Sequence, residues 1–415
     1  MKVLYLCHRI PYPPNKGDKV RAFHQLRAIS ARHEVDLFTL ADDLADWDRR
    51  SALVPYCRQM TVVKLRPRLA RLRALPYLFT RRPATLPYFY SAELDAKIRK
   101  AIVLRAYDRI FVYSSAMAQY VEGIQHIPIV TDLVDVDSDK WRQYASVTRF
   151  PLSLVYRREG HRLQEYERSV CERSSCVVVS TEREARVLSQ FSKTNNLHVV
   201  PNGVDTNYFK PLVSRHDATT LTVAFTGDMS YFPNQEAVIY FARQVLPIIH
   251  QSLPNVRFLI IGRNPSREVQ RLQKIMGVEV TGSVPDVRTF LSKAQVSVAP
   301  FSIAAGIQNK ILEAMASGLP VVATSRALQG LSADVAALIE KGDCAEELAA
   351  KILRLLRDPQ LARRIGTEGR RRVTADYNWE QALDQLCRLL ERAELPSNAL
   401  QPLLMPQPSA LQSTK

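Results

Sequence analysis

At 415 residues, with 46% hydrophobic and 24% charged side chains, the chain has the make-up of a soluble globular protein and the length of two or three domains. No apolar run approaches the ~20 residues of a membrane span, and the opening KVLYLC is too short for a signal peptide and lacks a cleavage site, so a cytoplasmic location is expected. The net charge of +16 is unevenly placed, and the six cysteines are scattered without a C-x-x-C pair, which argues against zinc and against a disulfide framework.

Apolar runs alternate with helical stretches along the chain, the pattern of parallel sheets covered by helices. KVLYLC reads as a first strand, KVRAFHQLRAISARH as a helix, and EVDLFTL, MTVVKL, RIFVYS and IPIVTDL as further strands. Between Asp48 and Glu93 there is no acid, while ten Arg and Lys residues run from Arg49 to Arg82, with Tyr77, Phe79, Tyr88, Phe89 and Tyr90 among or just after them. Such a segment suits an anionic membrane or nucleic acid, or is simply a solvated face; no nucleic-acid-binding motif accompanies it. The aspartates of TDLVDVDSD, from Asp132 to Asp139, hint at a metal loop but lack the glycine and distal glutamate of an EF-hand. Capping of the following helix by Asp137 or Ser138 is the plainer expectation. YRREGHRLQEYERSVCERSS is a charged helix, CVVVST a strand and EREARVLSQF a helix.

A second α/β half follows NLHVVPNGVDTNYFKP, where Asn202 and Gly203 are expected to shape the turn between domains. Its strands read as LTVAFTG, VRFLIIG, VEVTG, VSVAP, LPVVAT and AALIE, and NQEAVIYFARQVLPIIHQS as one long helix. The expected division is 1–197, 198–375 and a C-terminal helix at 376–395 packing back on the first domain. The Pro-, Ser- and Gln-rich 396–415 is expected to be a disordered tail. With two parallel sheets, the natural ligand site is a cleft between the carboxyl ends of both sets of strands.

AAGIQNKILEAMASGLPVVAT (304–324) brings a glycine loop to a helix start. Free backbone N–H groups there favour an anion, and Gly306 lets a phosphate come close. Lys310 adds a cation, and Glu313, three residues on, could accept hydrogen bonds from a diol such as a ribose. An amphipathic helix with an exposed Lys–Glu pair fits the spacing equally well.

GIQNKILEAMASGLPVVAT resembles the donor-site segment of the retaining GT-B glycosyltransferases of family four. VVPNGVDTNYFKP, FTGDMSYFPNQEAVIYF, FLIIGRNP, VTGSVPDVRTFLSKAQVSVAPF and YNWEQAL resemble the same family in register, and PYPPNKGDKVRAFHQLRAISARHEVDLFT its first glycine loop and second strand. DLVDVDSDKWRQYA and PPNKGDKVRAFH are similar to the sugar transferases of bacterial exopolysaccharide and exosortase (PEP-CTERM) systems. The resemblance implies an α/β GT-B fold, two Rossmann-like doubly wound domains facing each other across a cleft, and transfer of a sugar from a nucleotide-diphosphate donor with retained anomeric configuration. It implies that Glu313 holds the ribose, that the Gly306 and Ile307 amides beside Gln308 hold the diphosphate, and that Gly282 to Val284 border the base. Gly227 and Gly17 would flank the diphosphate from either domain.

The chain departs from the family pattern in three places. Ala305 stands where a glutamate often touches the sugar, Val134 where a histidine does, and Asp228 and the Pro233-Asn234 pair where an Arg and a Lys commonly follow Gly227. Phosphate charge is therefore expected from Lys310 and Arg263, with Lys19 or Arg21 across the cleft, while Asp135 and Asp137 replace the histidine in the chemistry and His8 faces the cleft. No metal and no cofactor is implied. The expected acceptor is a polyprenyl-diphosphate-linked glycan, with the protein peripheral on the inner face of the cell membrane through residues 49–92. A nucleotide-sugar epimerase of the same fold, a non-catalytic sugar-nucleotide-binding partner, and a nucleic-acid-binding protein remain as alternatives.

Overall fold

The computed structural model describes residues 1–15, 17–212, 221–304 and 306–395, with the side chain of Leu44 set aside. Ala305 and the expected tail at 396–415 lie outside the described residues.

Seven strands form the first sheet: β1 (Lys2–Cys7), β2 (Glu34–Ala41), β3 (Gln59–Lys64), β4 (Arg109–Tyr113), β5 (Ile129–Val134), β6 (Cys176–Val179) and β7 (Leu197–Val199). All pair in parallel, in the order β3-β2-β1-β4-β5-β6-β7. The second sheet holds β8 (Thr222–Thr226), β9 (Arg257–Ile261), β10 (Val278–Gly282), β11 (Val296–Ala299), β12 (Val321–Ala323) and β13 (Glu340–Lys341), ordered β10-β9-β8-β11-β12-β13. Helices cover both faces, so the central strands are apolar along their whole length; Val3 to Cys7 are all buried. The order reverses between β1 and β4 in one sheet and between β8 and β11 in the other. Loops diverge at such switch points and leave crevices beyond the strand ends.

The two crevices face each other. A Cβ on Gly17, at the start of the Gly17–Ser30 helix after β1, would lie 3.6 Å from Nδ2 of Asn309, the first residue of the Asn309–Ala316 helix after β11. The Trp379–Arg392 helix crosses back to the first domain. Its Trp379, Leu383, Leu386 and Leu390 share a core with Val3, Leu26 and Val35, and Trp379 stacks on His24 at 4.5 Å.

Several elements differ from expectation. β7 pairs with β6 through Val199, so a boundary after 197 would cut a strand of the first sheet. The last strand lies at Glu340–Lys341, at the end of AALIE. The helix over 232–252 passes through a π turn at Phe241–Val245, which accommodates Pro247, a residue with no N–H for a regular turn. The Asp137–Val147 helix is capped by neither Asp137 nor Ser138. Instead Glu184 accepts the Val136 N–H (2.6 Å), and Glu167 accepts the Ser138 N–H (3.1 Å) and hydroxyl (2.5 Å).

Candidate active site

The second-domain wall of the cleft is built at the ends of β8 and β11. Gly227 follows β8 directly, and a Cβ there would come within 2.7 Å of Asn234 Nδ2 and 3.3 Å of Lys310 Nζ. Lys310 rises from the Asn309–Ala316 helix to meet it, donating to Asn234 Oδ1 (2.6 Å) with its ammonium 4.7 Å and 4.5 Å from the Phe225 and Phe301 ring centres. Asn234 thus receives a lysine ammonium from another element.

No ion pair joins Lys310 and Glu313 among the described residues, which removes the reading of a simple surface pair. Burial pulls the Lys310 ammonium down to about 7, only partly countered by Glu313. It likewise pushes the Glu313 carboxyl up to about 7 against the pull of Lys310. Two ionisable groups held near neutrality in a cleft are suited to receive a ligand that restores their charges.

Gly306 has φ of +60°, and a Cβ on it would lie 3.0 Å from Cγ of Asp135 and closer still to Oδ1. Only glycine tolerates both the left-handed backbone and that approach. Asp135 is delivered by a turn in which Val134 itself has φ of +67°, unusual for a β-branched residue, with its N–H bonded to Asp132 Oδ1 (2.8 Å). Burial raises the Asp135 carboxyl, Lys140 opposes that, and Asp137 adds to it. Ile307 is buried in the second core, and Gln308 is the residue from which the helix starts. Gly282 has φ of +70° with open space where a Cβ would stand, and Val284 packs beside Leu291. Arg263 is tied to Asp228 (3.0 Å), while its Nη2 is buried with no hydrogen-bond partner.

The opposite wall departs from expectation. Lys19 is buried in an ion pair with Asp46, not extended across the cleft. Arg21 is buried against Asp132 (2.8 Å), the Val200 carbonyl (2.9 Å) and Asn202 Oδ1 (2.9 Å). Both face the sheet from positions that, on an amphipathic helix, are usually apolar. His8 is buried too, stacked on Tyr113 with Nε2 3.5 Å from Asp18. Asp137 accepts from Ser115 (3.3 Å) and lies 3.7 Å from Lys140. The aspartates of the TDLVDVDSD run do not converge: Asp132 serves Arg21 and Asp139 serves Arg183 (2.7 Å).

Two residues of the cleft escaped the sequence reading. Asn309 accepts from Asn202 Nδ2 (3.0 Å), so the chain Asp132–Arg21–Asn202–Asn309 runs from the first sheet to the Asn309–Ala316 helix. Lys140 lies between the walls: burial works against its ammonium, but Tyr231, Asp137, Tyr144 and Asp135 outweigh that and hold its pKa above the usual lysine range. Tyr144 and Tyr231 meet across the cleft, Oη to Oη, at 3.4 Å. Asn309 is adjacent to Lys310 in sequence and could have been found there; nothing local distinguishes Lys140.

Two family models match this architecture half by half. The model described as Glycosyltransferase Family 4 matches residues 17–208, and the one described as Glycosyl transferases group 1 matches residues 220–358. Over 284 residues the chain is 28% identical to the MMP alpha-(1->4)-mannosyltransferase of Mycolicibacterium hassiacum, covering 65% of this chain and spanning 64% of that relative's length. Among solved structures, sucrose-phosphate synthase from Thermosynechococcus elongatus superposes with a TM-score of 0.72 at 20% identity, over 94% of this chain and 98% of that one. Anabaena Alr3699/HepE in complex with UDP-glucose superposes with a TM-score of 0.66 at 18% identity, over 94% and 99%. The fold is therefore GT-B, and it is the fold of the group 1 and family 4 glycosyltransferases.

Proposed function

We propose that the protein is a glycosyltransferase that takes a sugar from a nucleotide-diphosphate donor and transfers it, with retention, to a lipid-linked glycan during exopolysaccharide assembly. The observation that carries this reading is the meeting of Gly227, Asn234 and Lys310 at the switch point of the second sheet, with the Gly306 loop leading into the helix that bears Lys310 and, one turn on, Glu313. A diphosphate placed there meets backbone N–H groups and the Lys310 ammonium, and a ribose one helical turn on meets Glu313. Anabaena HepE, with UDP-glucose bound, supports a nucleotide-sugar donor.

In the proposed transfer the bond from the anomeric carbon to the diphosphate oxygen breaks. The acceptor hydroxyl bonds to that carbon on the same face, and its proton passes to the departing diphosphate. The chain then contributes position and charge: Lys310 and the Gly306 loop stabilise the negative charge that builds on the leaving group, while Asp135 and Lys140 border the reacting end. Residues 49–92 would hold the first domain to the inner face of an anionic membrane, where lipid-linked acceptors reside; no helix among the described residues is long and apolar enough to cross a membrane.

The test is binding and turnover of a panel of nucleotide sugars. Selective binding of one donor, weakened about tenfold or more by Glu313→Ala, is the expected result. Binding untouched by that change, or absent for every donor, contradicts the reading.

A further inference from the structure

The acid-free window at 49–92 is not one surface. Arg58 is bound to Asp36 (3.1 Å), Arg50 and Lys64 lie over the Trp47 ring, and Arg73 donates to the Pro87 carbonyl. Arg66, Arg68, Arg71, Arg81 and Arg82 are exposed and make no ion pair among the described residues. Beside them an apolar stripe emerges. Leu69 and Leu72 on the Pro67–Ala74 helix, then Leu75 and Phe79 beyond it, are exposed, Phe79 at 88%.

A second acid-free window runs from Lys140 to Arg158, with exposed Arg149, Arg157 and Arg158. It too exposes large apolar side chains: Phe150 at 80%, with Leu152 and Leu154. The fold locks the two windows together. Arg162, one turn past this window, donates to the Tyr77 and Leu78 carbonyls (3.0 and 3.2 Å). Glu159, the acid that ends the window, is buried and accepts the Ala84 and Thr85 N–H groups (2.9 Å each).

We propose that residues 67–82 and 147–158 form one membrane-docking face, which seats on an anionic bilayer with Phe79 and Phe150 as paired apolar wedges among arginines. Apolar tips ringed by guanidinium groups fit the boundary between acyl chains and anionic headgroups, where each part finds its own medium. A nucleic acid would use the arginines and leave the wedges in water. The face sharpens the membrane part of the proposed function. It also lies close to the cleft: Tyr156, on the same helix as Leu152 and Leu154, packs on Trp141 at 5.1 Å, next to Lys140.

Co-sedimentation of the full chain with vesicles tests this, using phosphatidylcholine alone and phosphatidylcholine mixed with phosphatidylglycerol. The protein should pellet with the anionic vesicles, release with rising salt, and lose about tenfold in affinity on either Phe79→Glu or Phe150→Glu. Because both positions are exposed, circular dichroism of the variants should match the native chain. No preference for anionic vesicles overturns the proposal, as does a Phe150→Glu variant that binds like the native chain, or a duplex DNA that binds more tightly than the vesicles do. Donor binding in the absence of vesicles should be equal in native and Phe150→Glu chains. A native chain that binds donor yet shows no preference for anionic vesicles would therefore sink the docking face and leave glycosyl transfer standing.

Discussion

The two walls of the cleft handle charge in opposite ways. On the first-domain wall, Arg21 is enclosed by Asp132, Asn202 and the Val200 carbonyl, and Lys19 by Asp46. On the second-domain wall, Lys310 is held by an amide oxygen and two phenyl rings, and Glu313 makes no ion pair among the described residues. Paired charge is used up by the fold. A cation and an acid that both titrate near pH 7 in a cleft keep part of their electrostatic free energy for a ligand. The difference teaches that a basic side chain near a glycine loop is not thereby a phosphate ligand: what matters is whether the fold has already neutralised it.

Breaking the first wall should cost the most stability. Arg21→Met leaves Asp132 buried without its cation and should destabilise the fold by about 3–5 kcal/mol, read from urea unfolding. A variant as stable as the native chain would mean that Arg21 is not a structural anchor and would reopen its role in the cleft. Next comes the seam between the walls. Gly306→Ala forces a side chain into a left-handed position against Asp135, so it should cost about 1–3 kcal/mol and weaken donor binding. Adding Asp135→Ala should recover part of the loss; if it recovers none, the contact is not what constrains Gly306. The smallest effect is expected from Asn309→Ala. It removes a single amide bond to Asn202 and should cost about 1 kcal/mol in unfolding, with donor affinity falling less than in Gly306→Ala.

The architecture was legible because strands of a covered parallel sheet are apolar on both faces. KVLYLC, RIFVYS and LTVAFTG announce themselves as β1, β4 and β8 with no need of periodicity. The backbone of the second-domain wall was legible for a related reason: Gly227, Gly306 and Gly282 mark places where backbone must come close or turn left-handed, and those demands are local. The first wall was not. Lys19 and Arg21 look solvent-facing because charge normally predicts exposure, and their partners Asp46 and Asp132 lie 27 and 111 residues away. The cap of the Asp137–Val147 helix was missed in the same way, since Glu167 and Glu184 reach it from other helices. Lys140 belongs with these: its setting between Tyr231 and Asp137 exists only once the two domains face each other.

The central claim is that Lys310 and Glu313 wait near neutrality for a donor. It is tested most directly by counting the protons exchanged when a nucleotide-diphosphate sugar binds, from calorimetry at pH 7 in buffers of different ionisation heat. UDP-glucose and GDP-mannose are suitable probes because neither titrates near that pH on its phosphates. Lys310, drawn down to about 7 and so about half protonated at pH 7, should take up about half a proton as the diphosphate restores its charge. Glu313, pushed up to about 7, should release about half a proton as the ribose hydroxyls donate to it. In the native chain the two nearly cancel. In Glu313→Gln the uptake by Lys310 should stand alone, and in Lys310→Met the release by Glu313. Opposite signs in the two variants are the predicted result. Donor binding with no proton exchanged in either variant would show that both groups are already charged, and the contrast between the walls would fall.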